Sequence, residues 1–356
     1  MKYYSKIAAT IEPYVPGEQP QEQGILKLNT NENPYPPSPK AVAAIREAAD
    51  DDLRLYPDPD CKRLRRAFSQ VMKVDEEQVF VGNGSDEVLA VAFQAFFDSD
   101  APPILFPDIS YSFYPVYANL YSIPYTHVPL QADFTVGVED YLVDNGGIIL
   151  SNPNAPTAIA MLPSEIIRLL EHNAKLGRVV VVDEAYSAFG GQSMVPYIKD
   201  FDNLVVTTSL SKSYSLAGLR GGFALCQANL VDALDRIKNS FNSYTLDRLA
   251  IAGAAEAVLD EEYLAQTTAA VVATRGRTVT ALEAMGFDVL PSSANFVFAK
   301  HAARAGGELF AALRARGVYV RHFAKPRIGE YLRITIGTDV QMDRFLHTLE
   351  QILQEG

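Results

Sequence analysis

From about residue 40 the apolar positions fall into two alternating patterns, amphipathic stretches of helical period and short β-branched runs. That alternation is the rhythm of βαβ units around a largely parallel sheet. The spacing predicts helices over SPKAVAAIREAADD, opened by Ser38 and Pro39, and over SDEVLAVAFQAFFD, with Ser85 as N-cap ahead of acidic residues suited to a helix N-terminus. Strands are predicted at QVFVG (78–82), PILFP (103–107), GIILS (147–151), RVVVVDEAY (178–186) and NLVVTTSLS (203–211). Several are apolar almost throughout, as strands covered on both faces must be. A glycine-rich turn at 217–222 leads into FALC, and helical patterning dominates from about 229 to 285.

The C-terminal third reads differently. FDVLP, NFVFAK, GVYVRHF and YLRITIG are separated by a helix around ELFAALRARG, which predicts a smaller α+β unit. Residues 11–40, rich in Pro, Asn and Glu, read as an extended arm able to cross a domain or subunit boundary. A chain of 356 residues exceeds the size at which one core usually stops growing. The expected division is a large domain over 41–265, with the arm (1–40) and 266–356 forming the small one.

Charge and cysteine usage narrow the classes. A formal net charge of −12 argues against nucleic acid or an anionic membrane as partner, since counterion release needs a basic surface. The two cysteines, Cys61 and Cys226, are far apart and have no Cys/His neighbours, so neither a disulfide framework nor a metal site is expected. MKYYSKIAAT lacks a signal-peptide core and no run is long enough to span a bilayer, so a soluble, cytoplasmic protein is expected.

In a parallel α/β sheet, ligands gather at the C-terminal ends of the strands, and five polar clusters fall there. GNGSDE (82–87) is a glycine-bracketed turn where Ser85 and free backbone N–H groups could hold a phosphate; in isolation it is equally an ordinary capped turn. VVVVDEAY ends a buried strand in Asp183 and Glu184, and a carboxylate there needs a cationic or hydrogen-bonding partner. A protonated pyridine nitrogen, a nucleotide or a metal would each serve. SLSKSYSLAGLRGG (209–222) sets Lys212 directly after a strand amid Ser209, Ser211, Ser213 and Ser215, with Arg220 beyond a small-residue turn. A solvated surface lysine does not need that company. SNPNAPTA (151–158) offers Asn154 on a proline-stiffened loop, and YLRITIG (331–337) sets Arg333 inside a strand pattern, where it pairs with an internal carboxylate or binds an anionic substrate.

In this order and at these intervals, the five clusters resemble fold-type I pyridoxal-phosphate aminotransferases of the class I/II group, over nearly the whole chain. LNTNENPYPPSP (28–39), YPDPD (56–60) and the NPNAPT loop resemble the histidinol-phosphate aminotransferases within it, although threonine-phosphate decarboxylases and some aromatic aminotransferases share them. The resemblance implies an α/β fold with a mostly parallel central sheet flanked by helices, a smaller α+β domain, and pyridoxal 5′-phosphate as cofactor. It implies Lys212 as the Schiff-base lysine, Asp183 as partner of the pyridine nitrogen, and Tyr186 and Asn154 as donors to the phenolic oxygen. Tyr111 would stack on the ring. Gly84, Ser85, Asp86, Ser209, Ser211 and Arg220 would hold the cofactor phosphate, with Tyr56 reaching it from a neighbouring subunit, which implies a homodimer. Arg333 matches the substrate-anion arginine, and Arg321 and Tyr14 resemble contacts to the phosphate of histidinol phosphate. The implied reaction passes an amino group between glutamate/2-oxoglutarate and histidinol phosphate/imidazole-acetol phosphate, as in histidine biosynthesis. An aromatic or broad-specificity aminotransferase and a threonine-phosphate decarboxylase stand as alternatives. A transcription regulator built on the same fold is disfavoured by the intact Lys212 and the lack of a DNA-binding extension. One departure is visible: Ala158 stands where the family usually has Gly, which bears on the Asn154 loop.

Overall fold

The structure is a computed structural model that describes residues 3–14, 17–20 and 22–355. Its strands, in chain order, are β1 (Leu26–Lys27), β2 (Val79–Asn83), β3 (Ile104–Pro107), β4 (Tyr125–Val128), β5 (Ile148–Ser151), β6 (Val180–Asp183) and β7 (Leu204–Ser209). There follow β8 (Gly221–Cys226), β9 (Phe287–Val289), β10 (Phe296–His301), β11 (Val318–Tyr319), β12 (Arg321–His322) and β13 (Leu332–Thr335). The helices are α1 (Lys6–Thr10), α2 (Pro39–Ala48), α3 (Lys62–Met72), α4 (Gly84–Phe96), α5 (Tyr114–Leu120) and α6 (Pro163–Leu176). The later ones are α7 (Ala228–Phe241), α8 (Arg248–Leu259), α9 (Glu261–Ala284), α10 (Gly306–Ala315) and α11 (Asp339–Gln354).

Seven strands form the large sheet in the order β2-β8-β7-β6-β5-β3-β4. All are parallel except β8, which runs against both β2 and β7. Burial on both faces follows from alternation within single strands. Val180 and Val182 join a core with α3, α6 and α8, whereas Val181 faces the opposite core with α4, α5 and α7. Every residue of β5 and β6 is buried, which accounts for the apolar runs Ile148–Leu150 and Val180–Val182 that precede their polar last residues. This layered packing fixes the C-terminal strand ends, and with them Ser151, Asp183 and Ser209.

A second core lies over the antiparallel sheet β12-β13-β10-β9, formed by Val297, Ala299, Leu332 and Ile334 with Phe345 and Leu349 of α11. The predicted arm is not wholly irregular: β1 within it pairs in parallel with β11, Leu26 facing Val318. A division at residue 265 falls inside the continuous α9, one rod reaching from the large sheet's helices to the small unit. Helix α2 begins as expected, with Ser38 accepting from the Lys40 N–H at 3.1 Å and Pro39 in the first turn. Helix α4 does not. Its first residue is Gly84, so Ser85 lies inside the first turn, and the Asn83 N–H donates instead to the Glu87 carboxylate at 2.5 Å. Among the described residues no helix is long and apolar enough to cross a membrane.

Candidate active site

The C-terminal ends of β5, β6 and β7 open into a cavity of about 750 Å³ shared with the arm and the small unit. Asp183 closes its floor, at the last position of β6 and only 4% exposed. Its carboxylate accepts from the Ala185 N–H at 3.2 Å and from the Tyr114 hydroxyl at 3.3 Å. Burial pushes it up to about 6 despite these hydrogen bonds, because no cation among the described residues lies beside it. Its neighbour Glu184 points away, accepting from Ser193 at 2.6 Å and from the Met194 N–H at 2.5 Å, a structural tie.

At one end of the cavity the start of α4 meets β8. A side chain on Gly222 would strike the backbone of Gly84 and Ser85, so glycine lets the two elements touch. Gly84 has φ +79°, and a Cβ there would lie 2.6 Å from the Arg220 guanidinium. Arg220 pairs with Asp86 at 3.1 Å, and Asp86 also accepts from the Tyr111 hydroxyl at 2.8 Å. Ser85, Ser209 and Ser211 complete this end.

Lys212 lines the cavity from the loop after β7, and its Nζ donates to the Thr30 carbonyl at 3.1 Å. Burial, and then the charge of Arg333, pull its ammonium down to about 8. The arm encloses this lysine. Asn33 donates to the Lys212 and Ser213 carbonyls at 2.9 and 3.3 Å, Asn31 reaches the Tyr186 hydroxyl at 3.1 Å, and the Asn29 carbonyl accepts from Arg333 at 2.8 Å. Arg321 and Arg333 are direct cross-strand neighbours on β12 and β13, both on the cavity, with Tyr14 near them stacked on Phe113 at 4.2 Å.

Two expected residues are placed elsewhere. Asn154 is buried beneath the cavity wall, its amide donating to the Ile109 carbonyl at 2.9 Å and to Thr157 at 3.0 Å while its oxygen accepts from Ser110 at 2.9 Å. A buried amide satisfied in this way has no donor left for a ligand, and Ala155 and Pro156 line the cavity instead. Ala158 holds the loop in this shape with φ +68° and donates to the Asn154 carbonyl at 2.7 Å. Tyr56 lies outside its own chain's cavity, 79% exposed and stacked on Tyr244 at 4.6 Å. Sequence reasoning assigned no site role to Asn31, Asn33, Tyr114, Ser110, Lys325 or Arg327. Only the LNTNENP string signalled the first two.

A family model for aminotransferases of class I and II matches residues 23–349. The chain belongs to the class I and II aminotransferases. This aminotransferase is 53% identical over 353 residues to a histidinol-phosphate aminotransferase of Acinetobacter baylyi, with 98% of this chain and 97% of the relative covered. It is 54% identical over 357 residues to a histidinol-phosphate aminotransferase of Aromatoleum aromaticum, with 99% of each covered. Histidinol-phosphate aminotransferase from Sinorhizobium meliloti, solved in complex with pyridoxal-5′-phosphate, has a TM-score of 0.87 at 23% identity, covering 100% of this chain and 98% of that one. A mutant aspartate aminotransferase from Thermus thermophilus has a TM-score of 0.82 at 17% identity, covering 99% of this chain and 100% of that one. At these identities the structural likeness is one of fold.

Aminotransferases of this family work with pyridoxal 5′-phosphate, and the cavity of this one fits it. The buried Asp183 carboxylate without a cation suits a protonated ring nitrogen, and Arg220 with the first N–H groups of α4 suits a phosphate. An amine at about 8 is also a better nucleophile near neutrality than an ordinary lysine. Capture of pyridoxal phosphate by the apo-protein, followed by stopped-flow absorbance, is therefore expected to quicken about tenfold per pH unit up to about 8 and then level. Continued acceleration to pH 10 would mean that burial does not lower Lys212.

Proposed function

We propose that this aminotransferase moves an amino group between histidinol phosphate and 2-oxoglutarate, in histidine biosynthesis, and that it works as a homodimer. One observation carries the substrate reading. Arg321 and Arg333 stand opposite each other on paired strands, and neither has a carboxylate partner among the described residues. Like charges directly opposite are unfavourable on their own, so the pair favours a ligand that brings negative charge. A substrate phosphate does so in one half-reaction and the carboxylates of glutamate in the other, through fork-shaped contacts only guanidinium offers. Tyr14, on the same side of the cavity, adds a hydroxyl donor.

Pyridoxal phosphate supplies the electron sink for the breaking Cα–H bond. Lys212 would hold it through Nζ and, freed from it, would act as the base and acid that moves the substrate Cα proton. Asp183 keeps the ring nitrogen protonated by charge, which burial away from water strengthens. Tyr186 donates to the phenolic oxygen without help from Asn154. Tyr111, its hydroxyl fixed by Asp86, limits tilting of the ring. Gly84, Ser85 and Asp86 through their N–H groups, with Ser209, Ser211 and Arg220, hold the phosphate. Tyr56 completes that phosphate site in a second copy, and its exposed neighbours Leu53 and Leu55 suit a subunit interface.

Arg321→Gln is expected to raise KM for histidinol phosphate about 10- to 100-fold with a smaller fall in kcat, as loss of a charged contact to a non-reacting group should. In rapid mixing of the loaded enzyme with candidate amines, histidinol phosphate bleaches the visible band fastest. A preference for phenylalanine or tyrosine contradicts the substrate assignment, and carbon dioxide release without amino transfer points to a decarboxylase.

A further inference from the structure

Asn31 stands at a junction of three parts of the molecule. It is 1% exposed, belongs to the arm, and adopts φ +55°, a left-handed conformation that asparagine tolerates better than most residues. Its carbonyl accepts from the Asn295 amide at 3.0 Å, and its N–H donates to the Thr335 hydroxyl at 3.0 Å. The Thr335 hydroxyl in turn donates to Asn31 Oδ1 at 3.0 Å, and Asn31 Nδ2 donates to the Tyr186 hydroxyl oxygen at 3.1 Å.

These bonds fix directions as well as positions. Thr335 is 3% exposed and has one hydroxyl proton, which in the observed arrangement goes to Asn31 Oδ1. A flipped amide would face that hydroxyl with its NH₂ group and strand the proton in a buried site, at a cost no water can relieve. The amide is thereby held with Nδ2 toward Tyr186. A phenol oxygen that accepts from Asn31 cannot also give its own proton there, so that proton is left to point into the cavity. The flipped amide would do the opposite and draw the Tyr186 proton onto its carbonyl.

We propose that Asn31, oriented by Thr335, is a positioning residue that aims the Tyr186 hydroxyl proton at the cofactor's phenolic oxygen. The inference rests on the reading of Tyr186 as donor to that oxygen. It also links the two units of the protein: Thr335 lies on the strand that carries Arg333, and Tyr186 follows the strand that carries Asp183. The charged groups that bear on Tyr186 are Arg333, Asp183 and Asp86, and none of them is altered in the variants below.

The test is the pH titration of the visible band of the loaded enzyme in the parent, Tyr186→Phe, Thr335→Val and the double variant. A hydroxyl donating to the phenolic oxygen favours the form in which the neighbouring lysine nitrogen has lost its proton, so losing that donor raises the midpoint. Thr335→Val is expected to raise it by about one pH unit, the scale of one hydrogen bond, and to shift nothing further in the Tyr186→Phe background. An unchanged midpoint, or an equal shift in both backgrounds, overturns the proposal. If Tyr186→Phe itself leaves the midpoint where it was, the donor role of Tyr186 fails instead. Should Thr335→Val not fold, Asn31→Asp serves, since its carboxylate takes the Tyr186 proton. Its added charge acts in both backgrounds, so the excess over the Tyr186→Phe background supports the proposal and its absence overturns it.

Discussion

Asp183→Asn is expected to slow transamination by at least ~10³-fold while leaving the apo-protein at pH 7 as stable as the parent or more stable. Both halves follow from one buried carboxylate. In the folded chain Asp183 is raised to about 6 by burial, above its ordinary value of 3.8, so the native state binds more protons than the unfolded state between those values. Stability from this group is therefore full below pH 3.8 and is lost as pH rises through about 6. At pH 7 the ionised group costs the apo-protein ~3 kcal/mol, the equivalent of two pH units. Asparagine removes that cost and still accepts from the Ala185 N–H. With cofactor bound the proposed role of Asp183 would reverse the balance, because the ring nitrogen would lack its counter-charge. Thermal unfolding of both apo-proteins and initial rates of both holoenzymes check this. A normal rate, or an apo-protein much less stable at pH 7, would contradict it.

Lys212→Ala is expected to reduce turnover by at least ~10⁴-fold, because in the proposed mechanism one residue would both bind the cofactor covalently and carry the Cα proton. The fold should not suffer. The Lys212 Nζ makes one recorded hydrogen bond, to the Thr30 carbonyl, and burial already disfavours its charge. The Lys212 and Ser213 carbonyls remain held by Asn33. Circular dichroism should match the parent, and pyridoxal phosphate should still bind through the phosphate site. A parental rate in this variant would remove Lys212 from the chemistry.

The large sheet was legible because its central strands bury both faces, and three consecutive apolar residues open each of 148–151, 180–183 and 204–209. The direction of β8 was less visible, although it follows from length. Between Ser209 and Gly221 the chain has too few residues for the crossover a parallel neighbour needs, so it turns back. The place of Lys212 on the cavity was legible because it sits in that turn amid hydroxyls and glycines that a surface lysine would not require. The inward-bonded amide of Asn154 was not legible, because composition does not tell which way an amide on a stiff loop faces. The Ile109 carbonyl that claims it lies 45 residues earlier. Residues 29–33 are polar and without periodicity, and their partners Tyr186, Lys212 and Thr335 lie more than 150 residues away. Local pattern therefore gives no sign that the arm orders the site. Ser85 was expected at the N-cap because serine favours it, yet the close approach of Gly222 to Gly84 sets where α4 begins.

The most direct measurement is borohydride reduction of the wild-type protein loaded with pyridoxal phosphate, followed by proteolysis and mass analysis of the peptides. The added mass is expected on Lys212 alone, in stoichiometric amount. Label on another lysine, or none, would contradict the account of the cavity given above.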